Sequence, residues 1–144
     1  KKMRSKKNKT VCNNICRVSN IAAKKLFSYL RPGDKYSNLN EDVKKKIYLF
    51  KNFKSNIIHQ RIKRLPLNDI SWTIIAHIGM DGYEYIHPIE NRTLSVREAA
   101  RIQGFPDDFI FIGNMREQYI QVGNSVSPLV SEYFGRKIYN FLNS

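Results

Sequence analysis

The positive charge of this 144-residue chain is confined to its first half, and this division constrains the fold more than any other feature. Residues 1–64 carry 19 Lys or Arg against 3 Asp or Glu, a net charge of +16, whereas residues 65–144 carry 6 against 9, a net of −3. A segment this basic is typical of proteins that bind a polyanion, most often nucleic acid. Apolar residues interleaved with these charges require a core, so only residues 1–9 suit a solvated tail: Leu26, Phe27, Tyr29, Ile47, Tyr48, Phe50, Phe53, Ile57 and Ile58.

Length and composition exclude several classes of protein. A chain of this size can bury roughly 70% of its unfolded surface in one core. It has no run of about 20 apolar residues, the length of a membrane-spanning helix, and the basic N-terminus is not followed by the apolar segment of a secretory signal. Cys12 and Cys16 have no second cysteine pair and no nearby histidine, so we predict reduced thiols and no metal site. We therefore expect a cytoplasmic protein that is not secreted.

The first half contains two predicted helices. Apolar residues have helical spacing over residues 19–30, where Ser19 or Asn20 could cap the N-terminus. The sequence Arg-Pro-Gly-Asp at residues 31–34 ends this helix. The Lys-rich residues 41–53 predict the second helix.

A β-hairpin is predicted over residues 72–86. Residues 72–78 are rich in β-forming side chains, and residues 83–86 alternate in polarity. Asp81-Gly82 between them favours a tight hairpin turn.

Two further helices follow. Ser95 and Glu98 have the spacing of a capping box, and Gly104 suits the C-terminal cap of the short helix that follows. Ser127 can cap the last helix, and Pro128 suits its first turn. The last helix carries an apolar stripe: Val130, Tyr133, Phe134, Ile138, Phe141 and Leu142.

Two long strings in the second half resemble motifs of one enzyme family. Residues 92–107, RTLSVREAARIQGFPD, resemble the ninth motif of the DNA (cytosine-5) methyltransferases, and residues 118–128, QYIQVGNSVSP, resemble the tenth. Residues 65–88 resemble the end of the family's target-recognition region, with looser similarity reaching back to about Ile21. The early motifs of the family are missing, namely the Gly-rich cofactor loop, the Pro-Cys nucleophile and Glu-Asn-Val. Residues 60–64, QRIKR, are superficially similar to a Gln-x-Arg-x-Arg motif, but we interpret them as a coincidental basic stretch.

The resemblance implies which residues contact the cofactor. Family members take methyl from S-adenosylmethionine, and the tenth-motif residues Asn124, Ser125 and Val126 match a stretch that lines its pocket. Gly123 would give backbone access, and the short polar side chains suit a carboxylate or a ribose. Without the resemblance, the same residues would be interpreted as a turn that caps the last helix. No catalytic residue is predicted, because neither cysteine follows a proline and the family's Glu is absent.

The resemblance also implies contacts with double-stranded DNA. Thr73 matches a recognition-region threonine that approaches the DNA backbone, although a threonine in a strand is often only a β-former. Arg92, Arg97 and Arg101 match the ninth motif, which organises the recognition region through ion pairs and backbone contacts and could place one Arg on a phosphate. The Lys and Arg residues between positions 44 and 64 would add nonspecific phosphate contacts.

The implied architecture is a mixed α/β fragment in three parts. Residues 1–20 form a basic, flexible segment, residues 21–113 part of the small DNA-recognition domain, and residues 114–144 the tenth motif and a C-terminal helix. That helix would pack on a doubly wound S-adenosylmethionine-binding sheet that this chain lacks. We therefore expect the C-terminal fragment or small subunit of a methyltransferase, as found in prokaryotic restriction-modification systems, which is inactive until joined by an N-terminal half. The alternatives are a stand-alone basic DNA-binding module and, with less support, an RNA-binding protein, for which no aromatic platform motif is present.

Overall fold

A computed structural model describes residues 10–48 and 61–144. These residues form two compact units: residues 10–15, 73–79 and 95–144 belong to one, and residues 16–48, 61–72 and 80–94 to the other. The three-part division with boundaries after residues 20 and 113 stays a prediction. None of the described helices is long and apolar enough to cross a membrane. The helices are α1 (Ile21–Ser28), α2 (Glu41–Tyr48), α3 (Val96–Ile102), α4 (Met115–Asn124) and α5 (Pro128–Leu142), with 3-10 turns at Tyr36–Asn38 and Ala76–Gly79.

The unit that contains α1 and α2 has its own hydrophobic core. Asn20 caps α1 by accepting a hydrogen bond from the backbone N–H of Ala23 at 2.8 Å. Helix α2 begins at Glu41 as predicted and is described to Tyr48, whereas the remainder of the predicted helix, residues 49–53, lies outside the described residues. Four of the predicted core residues lie outside the described residues: Phe50, Phe53, Ile57 and Ile58. In the described part of the basic half, a core is confirmed, and Ile86 from the second half joins it: Ala23, Leu26, Phe27, Leu30, Leu39, Ile47, Ile62 and Ile86.

The predicted β-hairpin over residues 72–86 is wrong. Ala76–Gly79 form a 3-10 turn. In the other unit, Ile86 forms isolated bridges with Arg64 and Thr93, so its pairing partners lie outside the predicted first strand. The residues are β-formers, but their conformation is decided by what they pack against, and β-propensity is weak against such contacts. Within the described residues, bridges of this isolated kind are the only β-pairing.

Helix α3 has the capping box predicted from the sequence. The Ser95 hydroxyl accepts from the Glu98 N–H at 3.1 Å, and the Glu98 carboxylate accepts from the Ser95 N–H at 2.7 Å. After the helix, Gly104 has a φ of +88°, a left-handed conformation that favours glycine.

Replacing Ser95 with alanine should lower the free energy of unfolding by about 1–2 kcal/mol, because the N–H of Glu98 loses its acceptor. The buried Ser95 hydroxyl also donates to the Asn14 side chain at 2.8 Å, and this bond would be lost as well. Urea denaturation followed by circular dichroism would measure the change. Ser131→Ala on exposed α5 is the matched control and should stay within about 0.5 kcal/mol of wild type. Equal stability of the two variants would contradict the capping role.

Helices α4 and α5 follow in the same unit as α3. Asn114 caps α4 and forms a second capping box with Glu117. Pro128 lies in the first turn of α5 as predicted, but Ser127 forms no side-chain capping hydrogen bond, so that part of the prediction is wrong. The apolar stripe of α5, comprising the six residues named above, is 45–79% exposed. Helix α5 therefore leaves an apolar face open to solvent.

Candidate functional site

Two backbones approach closely where α4 meets the Ala76–Gly79 turn. A Cβ atom added to Gly123 would lie 2.7 Å from the carbonyl oxygen of Ile75 and 2.8 Å from the Cα atom of Ala76. A Cβ atom on Gly79 would in turn collide with the side chain of Ile120 on α4. The sequence suggested that Gly123 gives a ligand access to the backbone, but in the structure its missing side chain makes room for Ile75 and Ala76.

The amide of Gln103 joins this contact to the end of α3. Its Nε2 atom donates to the carbonyl oxygen of Ile74 at 3.3 Å and to that of Val122 at 3.4 Å. The Val122 carbonyl also accepts from the Ser125 hydroxyl at 2.7 Å. Segments from residues 73–79, α3 and α4 thus converge on one small polar cluster.

The predicted cofactor residues follow directly from the end of α4. Asn124 is exposed, and its side chain forms no hydrogen bond with any described residue. Ser125 is half-buried, and Val126 is 66% exposed. The segment therefore offers a free amide, a hydroxyl oxygen with acceptor capacity and an isopropyl group. None of these three side chains is charged, and their contact with a cofactor stays a prediction.

Arg97 lies inside the protein, with its guanidinium bonded to backbone carbonyls. Its side chain is fully buried. Nε donates to Cys12 O at 3.0 Å, Nη1 donates to Pro106 O at 2.9 Å, and Nη2 donates to Phe109 O. Burial lowers the pKa of Arg97, although an arginine remains charged at any physiological pH. A phosphate contact by Arg97, as predicted from the sequence, would require these bonds to break.

The other two predicted arginines are paired with carboxylates but keep access to solvent. Arg101 forms a two-bond ion pair with Asp107 at 2.8 and 2.9 Å, and this hydrogen bonding raises the pKa of Arg101. Arg92 pairs with Glu90 at 2.8 Å and donates to its neighbour's carbonyl, Thr93 O, at 3.1 Å. The side chains of Arg92 and Arg101 are 22% and 35% exposed. Both arginines are thus held by ion pairs, and Arg92 also by a backbone carbonyl. Their role in organising a recognition region stays a prediction.

Thr73 lies on the surface of the same unit as the Gln103 cluster. It directly precedes Ile74, whose side chain is buried and whose carbonyl accepts from Gln103. The position of Thr73 is therefore set by its buried neighbour, while its own side chain remains accessible.

Arg64 is a structural residue that the sequence did not identify. It belongs to the basic stretch expected to contact phosphates, yet it is only 2% exposed. Its guanidinium donates to Phe27 O at 2.6 Å, to His87 O at 2.8 Å and to Asn91 Oδ1 at 2.6 Å. Burial lowers its pKa. A run of basic residues carries no local signal of which one turns inward, so only the fold distinguishes Arg64.

Comparisons with known proteins agree with these motifs. The model of the C-5 cytosine-specific DNA methylase family matches residues 2–140. The type II methyltransferase M.Bpa9945I of Bacillus paralicheniformis is 53% identical over 76 residues, which cover 51% of this chain and 17% of that protein. The type II methyltransferase M.Eco47II of Escherichia coli is 34% identical over 123 residues, which cover 82% of this chain and 28% of that protein.

A solved structure is also similar. It is described as a candidate DNA modification methyltransferase encoded within a prophage (E. coli), and it matches with a TM-score of 0.63 and 27% identity. The match covers 93% of this chain and 30% of that one. This likeness supports the mixed α/β fragment predicted from the sequence. The chain spans less than a third of the length of each of these relatives.

Proposed function

Because the chain belongs to the C-5 cytosine-specific DNA methylase family, we propose that it forms the DNA-recognition side and one wall of the cofactor pocket of a DNA (cytosine-5) methyltransferase. The complete enzyme transfers a methyl group from S-adenosylmethionine to C5 of cytosine in double-stranded DNA. The family match over residues 2–140 is the observation that carries this proposal. A stand-alone DNA-binding module is not favoured, because the similar proteins are named as methyltransferases.

On the cofactor side, Asn124, Ser125 and Val126 contact S-adenosylmethionine. The cofactor, when bound, supplies the methyl group. Asn124 offers a free amide for a polar group, and Val126 offers apolar surface for a ring. The Ser125 hydroxyl donates to Val122 O, which leaves its oxygen to accept a hydrogen bond from the ligand. These residues bind and orient, and the groups that react with cytosine lie in another part of the enzyme.

On the DNA side, Thr73, Arg92 and Arg101 approach the phosphate backbone. Each is accessible to solvent, and the two arginines have geometry set by Glu90 and Asp107. Contacts to phosphates position a protein on duplex DNA, which this enzyme needs because its target base must leave the stack before it can react. Arg97 acts from inside the unit that carries Thr73 and Arg101, by holding the loop at Pro106 and Phe109.

The N-terminal portion of the methyltransferase covers the apolar stripe of α5. The chain spans less than a third of these relatives, and in this proposal the catalytic groups lie in the rest of the enzyme. The stripe contributes six large apolar side chains, and burying each fully is worth roughly 1.5–3 kcal/mol. Such an enzyme works in the cytoplasm of a prokaryotic cell, on nucleoid DNA.

The proposal predicts that this chain methylates DNA only together with an N-terminal portion. The chain would be co-expressed with N-terminal portions from several relatives, and transfer of a labelled methyl group from S-adenosylmethionine to cytosine in duplex DNA would be measured. We expect label at C5 from at least one pair and none from either component alone. Binding of DNA without transfer by every pair would contradict the proposal and would favour a DNA-binding module.

An active pair also allows a test of the α5 stripe. Ile138→Asp places a charge on the stripe and should lower the yield of the assembled enzyme at least tenfold, since an unpaired charge is costly to bury. Tyr139→Asp introduces the same charge on the opposite side of α5, away from the stripe, and should leave assembly unchanged. Co-purification of the two components would measure assembly separately from transfer. Equal assembly of the two variants would show that the stripe is not the interface.

A further inference from the structure

The side chain of Gln103 bonds to both of the segments that carry the proposed ligand contacts. On the DNA side it donates to the carbonyl of Ile74, the residue that follows Thr73; on the cofactor side it donates to the carbonyl of Val122, close to Ser125. We infer that Gln103 is a positioning residue that couples DNA binding to cofactor binding. The inference rests on the proposed function, because it takes Thr73 and Ser125 as residues that contact the two ligands.

The Val122 carbonyl is the point at which Gln103 affects the cofactor side. This one oxygen accepts from Gln103 Nε2 at 3.4 Å, from Ser125 Oγ at 2.7 Å and from Ser125 N at 3.4 Å. A carbonyl oxygen has two lone pairs, so three donors compete for it. A shift of Gln103 therefore changes the hydrogen bonds that orient the Ser125 hydroxyl. Gln103 touches neither ligand and acts through Val122.

Ile74 is the corresponding point on the DNA side. Its side chain is only 3% exposed, so the residue cannot move independently of the surrounding core. Its carbonyl accepts from Gln103 at 3.3 Å. When a ligand contact displaces Thr73, the adjacent carbonyl moves with it, and the Gln103 amide must follow or lose a hydrogen bond.

The segment of residues 74–76 and the segment of residues 122–125 are packed so closely that neither can move far without the other. The Cα atom of Gly123 lies against Ile75 and Ala76 so closely that no side chain would fit. Densely packed elements transmit small displacements. Because Gly123 immediately follows Val122, the packing and the Gln103 hydrogen bonds connect the same two segments by independent contacts. Coupling through them is reciprocal, so each ligand should raise the affinity for the other by the same factor.

The test uses the assembled enzyme and an unreactive cofactor product. Affinity for S-adenosylhomocysteine would be measured by calorimetry with and without a saturating DNA duplex, and the ratio of the two dissociation constants is the coupling factor. We expect a factor of about five or more for the wild type. Gln103→Met keeps the length of the side chain without its donors and should bring the factor close to 1.

Two variants make this result specific. Gln103→Lys retains N–H donors and should keep the factor within about twofold of wild type. Gln121→Met makes the same chemical change at a glutamine whose amide donates, among the described residues, to Ile112 O at 2.7 Å, and it should leave the factor unchanged. A wild-type factor for Gln103→Met, or equal losses for Gln103→Met and Gln103→Lys, would overturn the inference.

Hydrogen exchange on the chain alone provides a readout that does not depend on ligands. Gln103→Met should increase amide exchange in residues 74–76 and 122–125 together, and Gln121→Met should increase it in neither segment. Unchanged exchange in either segment would overturn the inference. An assembled wild-type enzyme that binds no S-adenosylhomocysteine would instead refute the proposed function, and the inference with it. The two outcomes can be distinguished, because absent S-adenosylhomocysteine binding is already seen with the wild-type enzyme. Failure of the inference is seen only when Gln103→Met is compared with the wild type.

Discussion

Replacing Arg97 with methionine is expected to lower the free energy of unfolding by about 3 kcal/mol or more. The carbonyls of Cys12, Pro106 and Phe109 lose the guanidinium donor together, and among the described residues only Pro106 O keeps another, the N–H of Phe109 at 3.2 Å. Each part-buried acceptor left unsatisfied costs roughly 1–3 kcal/mol. The guanidinium also lies 5.6 Å from the centre of the Phe111 ring, a contact that methionine replaces only in part. Urea denaturation followed by far-ultraviolet circular dichroism would measure the loss.

Arg136→Met is the matched control for this prediction. Arg136 is an exposed residue on α5 that pairs with Glu132 at 2.7 Å, and its loss should change stability by less than about 0.5 kcal/mol. The experiment separates two roles for Arg97. If Arg97 instead reached a DNA phosphate, Arg97→Met would retain wild-type stability, and the salt dependence of DNA binding would become shallower by about one counterion.

Replacing Gly123 with alanine is the second change with a large expected effect, roughly 1–3 kcal/mol of lost stability. The added Cβ atom would meet the backbone at Ile75 and Ala76, which cannot rotate away as a flexible side chain can. The two segments must separate to accommodate it. In the assembled enzyme, we therefore also expect weaker binding of S-adenosylhomocysteine, because Asn124 and Ser125 follow Gly123 directly.

Gly135→Ala is the control for Gly123→Ala. Gly135 lies in α5 with no atom within 4 Å of an added Cβ, and alanine favours a helix over glycine by about 1 kcal/mol. The same substitution should therefore stabilise the chain at position 135 and destabilise it at position 123. Thermal unfolding of both variants would show whether each substitution raises or lowers the melting temperature. A stabilising Gly123→Ala would show that the packing between Gly123 and Ile75 is looser than the structure indicates.

Several ninth-motif side chains stabilise the local structure of the unit that contains α3. Ser95 and Glu98 form the capping box at the N-terminus of α3. Arg97 donates to carbonyls of the loop that follows, and Arg101 pairs with Asp107. Each makes its bonds to groups within the same chain. We therefore propose that the motif is a framework that presents Thr73 and the tenth-motif segment.

What the sequence determined by itself was mostly local. Three features depend on neighbours within four residues, so the local sequence identifies them directly: the capping box at Ser95, the left-handed Gly104 and the Asn20 cap. The apolar stripe of α5 and the family membership were also predictable, the first from helical periodicity and the second from two long motifs.

Only the tertiary structure decided the conformation of residues 72–86 and the inward positions of two arginines. The β-forming residues do not form a hairpin, because Ala76–Gly79 pack on α4 and Ile86 pairs with Arg64 and Thr93. Arg64 and Arg97 belong to sequence contexts that suggest phosphate binding, yet both bind carbonyls from distant segments. A charge turns inward when the fold brings enough unpaired acceptors to one place, and no local pattern records where those acceptors will lie.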